Sequence, residues 1–159
     1  MQGNAGVIEV LNEGLCAELT AINQFFIHGK MCENWGYTKL AAKYRQESIE
    51  EMKHADEIIV RILFLDGVPN MQKYNKICVG SIVQEQFEND LALEIEAVEV
   101  YNRGIALARD VGDNGSRELF ERLLVDEEEH VDWLETQLHA MKQVGTENYL
   151  AQQLGGDAG

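Results

Sequence analysis

Proline occurs once in 159 residues, at Pro69. So rare a breaker leaves long stretches free to run as helix, and the helix formers that fill them exclude a β-rich class. Basic residues are few as well: 13 Lys and Arg stand against 28 Asp and Glu, for a net charge of −15. That balance disfavours nucleic acid and anionic membranes as partners and favours cations. Cysteine is limited to Cys16, Cys32 and Cys78, which have no close or paired spacing. No zinc or redox motif is therefore present, and reduced thiols in a cytosol are expected. No apolar run approaches a membrane span, and the first residues lack the basic and apolar segments of a secretory leader. A cytoplasmic location with no membrane contact is the expectation.

What the sequence does contain is helical periodicity. With 45% hydrophobic residues, the chain is expected to form a single domain over residues 1–159. Residues Ile8, Leu11, Leu15, Ile22 and Phe25 recur in steps that line one helix face, with Glu18 set into the row. After Asn34-Trp35-Gly36 a second row runs Leu40, Tyr44, Glu47, Glu51, His54, Ile58, Ile62 and Leu65. Asp66 to Asn70 stops it, and residues 66–81 form a long connection. A third row reads Phe87, Leu91, Glu94, Val98, Tyr101, Ile105 and Ala108, and a turn at Asp113 to Ser116 follows, with Ser116 as the expected helix cap. The fourth reads Phe120, Leu123, Glu127, His130, Leu134, Leu138 and Met141; beyond Gly145, residues 146–154 suggest one short extra helix. Short links make two antiparallel hairpins, and the long middle connection lets the second and third helices run parallel. The fold class expected is all-α: a four-helix bundle with one long crossover and a short C-terminal fifth helix.

Polar residues interrupt these rows in a repeated pattern. Glu18, Glu51 and His54 of the first hairpin match Glu94, Glu127 and His130 of the second, each pair 76 positions apart. Stacked hairpins would repeat apolar residues for packing, but the three residues repeated here are all metal ligands. Each Glu-x-x-His pair places both side chains on one face about a turn apart. Four carboxylates in a bundle core cost several kcal/mol apiece unless compensated. Two divalent cations balance their four charges and leave the imidazoles as neutral ligands. The absence of thiolate suits iron or manganese better than structural zinc. One Glu from each of two helices plus a Glu-x-x-His from each of the others is the known ligand pattern of ferritin-like di-metal carboxylate bundles.

The chain also resembles bacterioferritin over nearly its whole length. The resemblance rests on MQGNAGVIEVLNEGL at the start, ELTAINQFF around Glu18, ESIEEMKHADEIIVRILFLDGVPN around Glu51 and His54, DLALE ending at Glu94, DEEEHVDWLETQL around Glu127 and His130, and ENYL near the end. It implies a ferritin-like fold and a ferroxidase centre at the six residues, with Glu51 and Glu127 as bridging carboxylates. The same resemblance implies that two iron ions per subunit are oxidised there by O2 or hydrogen peroxide, with ferric mineral stored in a shell of 24 subunits built from dimers. Haem b shared between two subunits through Met52, and a small ferredoxin as electron donor for iron release, are implied in the same way. By its phase alone, Met52 lies about 100° around the helix from Glu51 and reads as interface packing. Exposed apolar residues such as Trp35, Tyr149 and Leu150 are expected to serve assembly.

Three positions depart from the family. Gln46 and Glu50 stand where members often carry His and Asp at an inner-surface iron site, and Phe25 stands where many have tyrosine. Tyr101, 76 positions beyond Phe25, is its mate in the internal repeat and is expected to take over as the redox-active phenol. The competing function is a soluble di-metal oxidase or peroxidase, resembling rubrerythrin or manganese catalase, without mineral storage. Against it, the chain has no Cys-x-x-Cys tail of the rubredoxin kind.

Overall fold

Helix α1 (Ala5–Asn34) starts where Asn4 turns its side chain onto the free N–H groups of Gly6 and Val7. Three residues separate it from α2 (Thr38–Phe64), and three more separate α3 (Val83–Asp110) from α4 (Asn114–Val144); a short α5 (Thr146–Ala151) follows. The structure, a computed structural model, describes residues 1–155, and no strand occurs among them. Nor, among the described residues, is any helix long and apolar enough to cross a membrane. The architecture is the expected four-helix bundle with a short C-terminal helix.

The crossover leaves α2 at Leu65 and reaches α3 at Val83 without secondary structure of its own. Five side chains of α1, spaced by four, hold it in place. Asn12 accepts from the Asn70 N–H at 2.8 Å, the Cys16 thiol donates to Asn75, and Thr20 accepts from the Asn75 N–H at 2.9 Å. Gln24 accepts from the Cys78 N–H at 3.0 Å and His28 from the Gly80 N–H at 3.0 Å. Rising numbers on both sides mean that the crossover runs parallel to α1. It therefore delivers α3 antiparallel to α1 and parallel to α2, as the loop lengths required.

Two apolar clusters lie on either side of a polar middle. One gathers Leu11, Leu15, Ile58, Ile62, Tyr101, Phe120 and Leu123; the other gathers Phe25, Leu40, Tyr44, Phe87, Leu134 and Tyr149. The predicted row of α2 is buried at every position from Leu40 to Leu65. The row of α3 differs: Asp90, Ala97 and Gly104 are buried, whereas Leu91, Val98 and Ile105 are only half-buried. At Gly104 the close approach of α4 selects the small residue. A Cβ at Gly104 would lie 2.7–2.8 Å from three ring atoms of Phe120, which is itself buried. Gly104→Ala should cost about 1–3 kcal/mol in overpacking and regain only about 1 kcal/mol of helix preference. Its thermal midpoint should therefore fall, and a midpoint at or above wild type would contradict this packing.

Two further expectations are corrected. The cap of α4 is Asp113, not Ser116: Asp113 accepts from the Ser116 N–H at 3.0 Å and its hydroxyl at 2.7 Å, while Arg61 pairs with the same carboxylate at 2.7 Å. Tyr149 is not exposed. Its ring packs edge-on against Phe87 and its hydroxyl donates to Gln137 at 2.7 Å, which docks α5 on the bundle. Leu150 is half-buried, and Trp35 stays at the surface.

Candidate metal centre

All six residues singled out from the sequence meet in the middle of the bundle, and all are buried. Glu18 comes from α1, Glu51 and His54 from α2, Glu94 from α3, and Glu127 and His130 from α4. They form two groups, Glu18, Glu51, His54 and Glu127 in one and Glu51, Glu94, Glu127 and His130 in the other, with ligand atoms in each within 4.8 Å of one another. Glu51 and Glu127 belong to both. They are the two carboxylates from which the sequence reading expects bridging.

The imidazoles face inward in matching ways. His54 Nδ1 lies 3.0 Å from Glu127, 3.5 Å from Glu18 and 3.7 Å from Glu51. His130 Nδ1 lies 3.0 Å from Glu51, 3.5 Å from Glu127 and 3.6 Å from Glu94. Several of these approaches are close without being aligned as hydrogen bonds. Glu18 Oε2, Glu51 Oε1, Glu94 Oε1, Glu127 Oε2 and His130 Nδ1 are all buried with no hydrogen-bond partner. Buried polar atoms are normally satisfied, so five converging orphans of this kind describe a cradle for cations.

Charge repulsion inside the cradle is expressed in proton affinities. Burial pushes the carboxyls of Glu18 and Glu94 well up, and the charges of Glu127 and Glu51 push them further. For Glu127 burial acts in the same sense, but the close approach of Glu94, His130 and His54 outweighs it and holds its carboxyl low. Burial would depress His54 and His130, yet the surrounding carboxylates prevail and raise both. Protons thus occupy the places that cations would take.

The sequence profile of the Ferritin-like domain family matches residues 8–144. Similarity to curated proteins runs nearly end to end. The chain is 52% identical over 152 residues to the bacterioferritin of Mycobacterium leprae, with 96% of each chain covered. It is 51% identical over the same length to bacterioferritin BfrA of Mycobacterium tuberculosis, again with 96% of each covered. To the bacterioferritin of Streptomyces coelicolor it is 48% identical over 151 residues, covering 95% of this chain and 90% of that one. The chain belongs to the bacterioferritin family.

Three features of this bacterioferritin-family site were not legible from the ligand repeat alone. The outer nitrogen of His54 meets Asp126 at 3.0 Å, and that of His130 meets Glu50 at 3.1 Å and Glu47 at 2.5 Å. Glu50 and Asp126 are themselves 76 positions apart, a signal that could have found them. Such partners orient an imidazole and raise its basicity as a ligand. Glu47 has no such mate, because Leu123 stands at the related position, and it makes a third acidic group with Glu50 and His130. The side chain of Gln46 donates to Glu50 at 3.3 Å and lies exposed.

Tyr101 is fully buried and donates its hydroxyl to Glu18. Burial, followed by the charges of Glu18 and Glu127, holds its phenol well above the ordinary range. Met52 lies away from the cradle, 55% exposed, in a surface groove with Phe26 and Ile49.

Proposed function

We propose that this protein stores iron, taking up Fe(II) at the six-residue centre, oxidising it with O2 or hydrogen peroxide, and holding the Fe(III) product as mineral inside a closed shell of 24 copies. The observation that carries this reading is the convergence of four buried carboxylates and two imidazoles in two groups that share Glu51 and Glu127. Two Fe(II) ions supply the positive charge that the cradle lacks, and Fe(III) is held more strongly still by the same oxygens. Glu51 and Glu127 keep both ions close enough to react with one oxidant molecule, while His54 and His130 complete each ligand set.

Assembly is supported by a face of α1 and α2 that no other element covers. Phe26, Ile49, Met52, Val60, Leu63 and Phe64 are all exposed there, and contiguous apolar surface of this kind marks an interface. The groove at Met52 fits a flat apolar macrocycle: Phe26 and Ile49 line it, with Lys30 and Arg45 beside them to meet anionic substituents. Met52 from each of two copies would ligate haem b, which would supply a one-electron relay between solvent and the stored iron.

The test is an anaerobic titration with Fe(II) followed by air, on protein of measured particle mass. A fast absorbance rise should saturate near two irons per chain, one for each group, and further iron should stay with a particle of many subunits. Rapid oxidation by a stable monomer that retains no iron would replace storage with a soluble di-metal oxidase.

A further inference from the structure

The internal repeat that relates the two halves of the centre breaks down at a second set of buried polar residues. Asp90 is 0% exposed, and its carboxylate receives three donors: Gln24 Nε2 at 2.8 Å, Tyr44 OH at 2.7 Å and His28 Nδ1 at 3.1 Å. His28 Nε2 accepts the Gly80 N–H, so the ring proton sits on Nδ1 and points at Asp90. Moved by 76 positions, Gln24, His28 and Tyr44 become Val100, Gly104 and Phe120, and Asp90 becomes Gly14. One end of the bundle holds a polar cluster where the other holds glycine and hydrocarbon.

Each end nevertheless has one phenol beside one phenyl ring. Phe25 and Tyr44 lie with ring centroids 6.3 Å apart, and Tyr101 and Phe120 lie 6.1 Å apart. The hydroxyl has changed helices between the two pairs, so Tyr44 stands at the side of the centre where Phe25 has none. Its surroundings differ from those of Tyr101 in one decisive respect. With Gly14 in place of an Asp90 mate, Tyr101 fills the space with its ring and turns its hydroxyl to Glu18, whose oxygens the cations claim. Tyr44 donates instead to a carboxylate that belongs to no ligand group.

A small cleft of about 20 Å³ is lined by Tyr44 and Asp90 together with Glu94, His130, Glu47 and Trp133, and so connects the phenol with the centre. Trp133 is the other oxidisable ring there, but the Lys43 ammonium lies over it, 5.1 Å from its centroid. A cation on the ring face stabilises the intact π-system and opposes loss of an electron. Two Fe(II) ions supply two electrons, whereas full reduction of O2 to water takes four.

We propose that Tyr44 is the electron-donating phenol of the oxidation reaction, releasing its hydroxyl proton to Asp90 as it gives an electron to O2 under reduction in the adjoining centre. The role rests on the ferroxidase reading above. In the balanced step one O2 takes three electrons from Fe(II), one from Tyr44 and four solvent protons, and leaves as two waters. Three Fe(III) and one phenoxyl remain, with the phenol's own proton on Asp90 Oδ2. A further Fe(II) then reduces the phenoxyl, and Asp90 returns the proton along the same hydrogen bond. Burial, then the charge of Asp90, keeps the resting phenol protonated.

The experiment is freeze-quenched electron paramagnetic resonance on the assembled protein, loaded anaerobically with Fe(II) and mixed with O2. A phenoxyl signal, narrowed by ring-deuterated tyrosine, should appear in wild type and be absent in Tyr44→Phe. Asp90→Asn, which keeps the shape but cannot take the proton, should slow its rise on the order of a hundredfold. Co(II) titration, read by ligand-field absorption without turnover, should show wild-type binding in Tyr44→Phe, whose related residue is already Phe120. Altered Co(II) binding in Tyr44→Phe would make Tyr44 a structural residue and overturn the proposal. So would a signal that survives in Tyr44→Phe. Rapid Fe(II) oxidation with no radical in wild type would overturn the role of Tyr44 alone; no rapid oxidation at all would overturn the ferroxidase reading and this role with it.

Discussion

Glu94→Gln should move the protein in opposite directions with and without metal. With Fe(II) and air, loss of a charged ligand should slow the fast oxidation phase by about a hundredfold or more, at the upper end of what altering a metal ligand's environment costs. His130→Ala should do the same. Without metal, Glu94→Gln should raise stability by about 1–4 kcal/mol at neutral pH, the range found when buried charges are replaced by neutral groups. The sign follows from the proton affinity of Glu94. Burial, reinforced by the charges of Glu127 and Glu51, lifts its carboxyl well above the ordinary 4.5, so the folded state binds a proton that the unfolded chain releases. Stability of the metal-free wild type is greatest below that ordinary value and declines as pH rises toward the folded one. Glutamine carries no such penalty, so the advantage of Glu94→Gln should be absent near pH 4 and present at pH 7. Thermal scans with a chelator at the two pH values measure it. Adding Co(II) should reverse the order at pH 7, because only the wild type gains the full stabilisation of a bound ligand. A Glu94→Gln protein that is less stable than wild type without metal, or that oxidises Fe(II) at the wild-type rate, would show that the four carboxylates do not form a cation cradle.

The same repulsion explains why the centre could be read from the sequence. A charged residue in an apolar row is a conflict with packing, and six such conflicts at one offset have no packing origin. Along α2 the reading held at every position from Leu40 to Leu65, because that helix has one broad buried face. Along α3 the buried face was misjudged. Leu91, Val98 and Ile105 are the more apolar residues, but at Gly104 the ring of Phe120 leaves no room for a side chain, and Asp90 is buried by its bonds to Gln24, His28 and Tyr44. Hydropathy ranks residues by their affinity for water and is blind to the distance between helix axes. The stripe Asn12, Cys16, Thr20, Gln24 and His28 was missed for a related reason. Its residues look like a solvated face until the crossover brings backbone groups to be satisfied. Asp90 and Tyr44 belong to the same class: each needs the other across 46 residues of sequence to make sense. The cap of α4 was misplaced by three residues because Asp and Ser are both good caps, and only Arg61, reaching over from α2, decides for Asp113.

Met52→Leu should abolish the low-spin haem spectrum of the assembled protein. The side chain follows Glu51 directly, and a single step along a helix turns it about 100° away; Glu51 is buried in the cradle while Met52 is 55% exposed. Leucine matches methionine closely in volume and apolarity, so packing in the groove with Phe26 and Ile49 should survive the exchange. What leucine lacks is the thioether sulfur, a soft neutral ligand that suits ferrous haem. A role in packing alone and a role in ligation therefore give different results. If Met52 only packs, Met52→Leu assembles normally and its haem content and spectrum match wild type. If Met52 ligates, the particle forms but its low-spin bands disappear, and Met52→His, which offers a stronger nitrogen ligand at the same place, restores a low-spin spectrum with shifted bands. Co(II) uptake at the six-residue centre should be as in wild type for both variants, because the substituted side chain points away from the cradle into solvent. The haem assignment is sunk by a wild-type spectrum in Met52→Leu. A spectrum lost together with assembly is separated from lost ligation by Met52→His, since a histidine particle with low-spin haem requires that position 52 reach the iron.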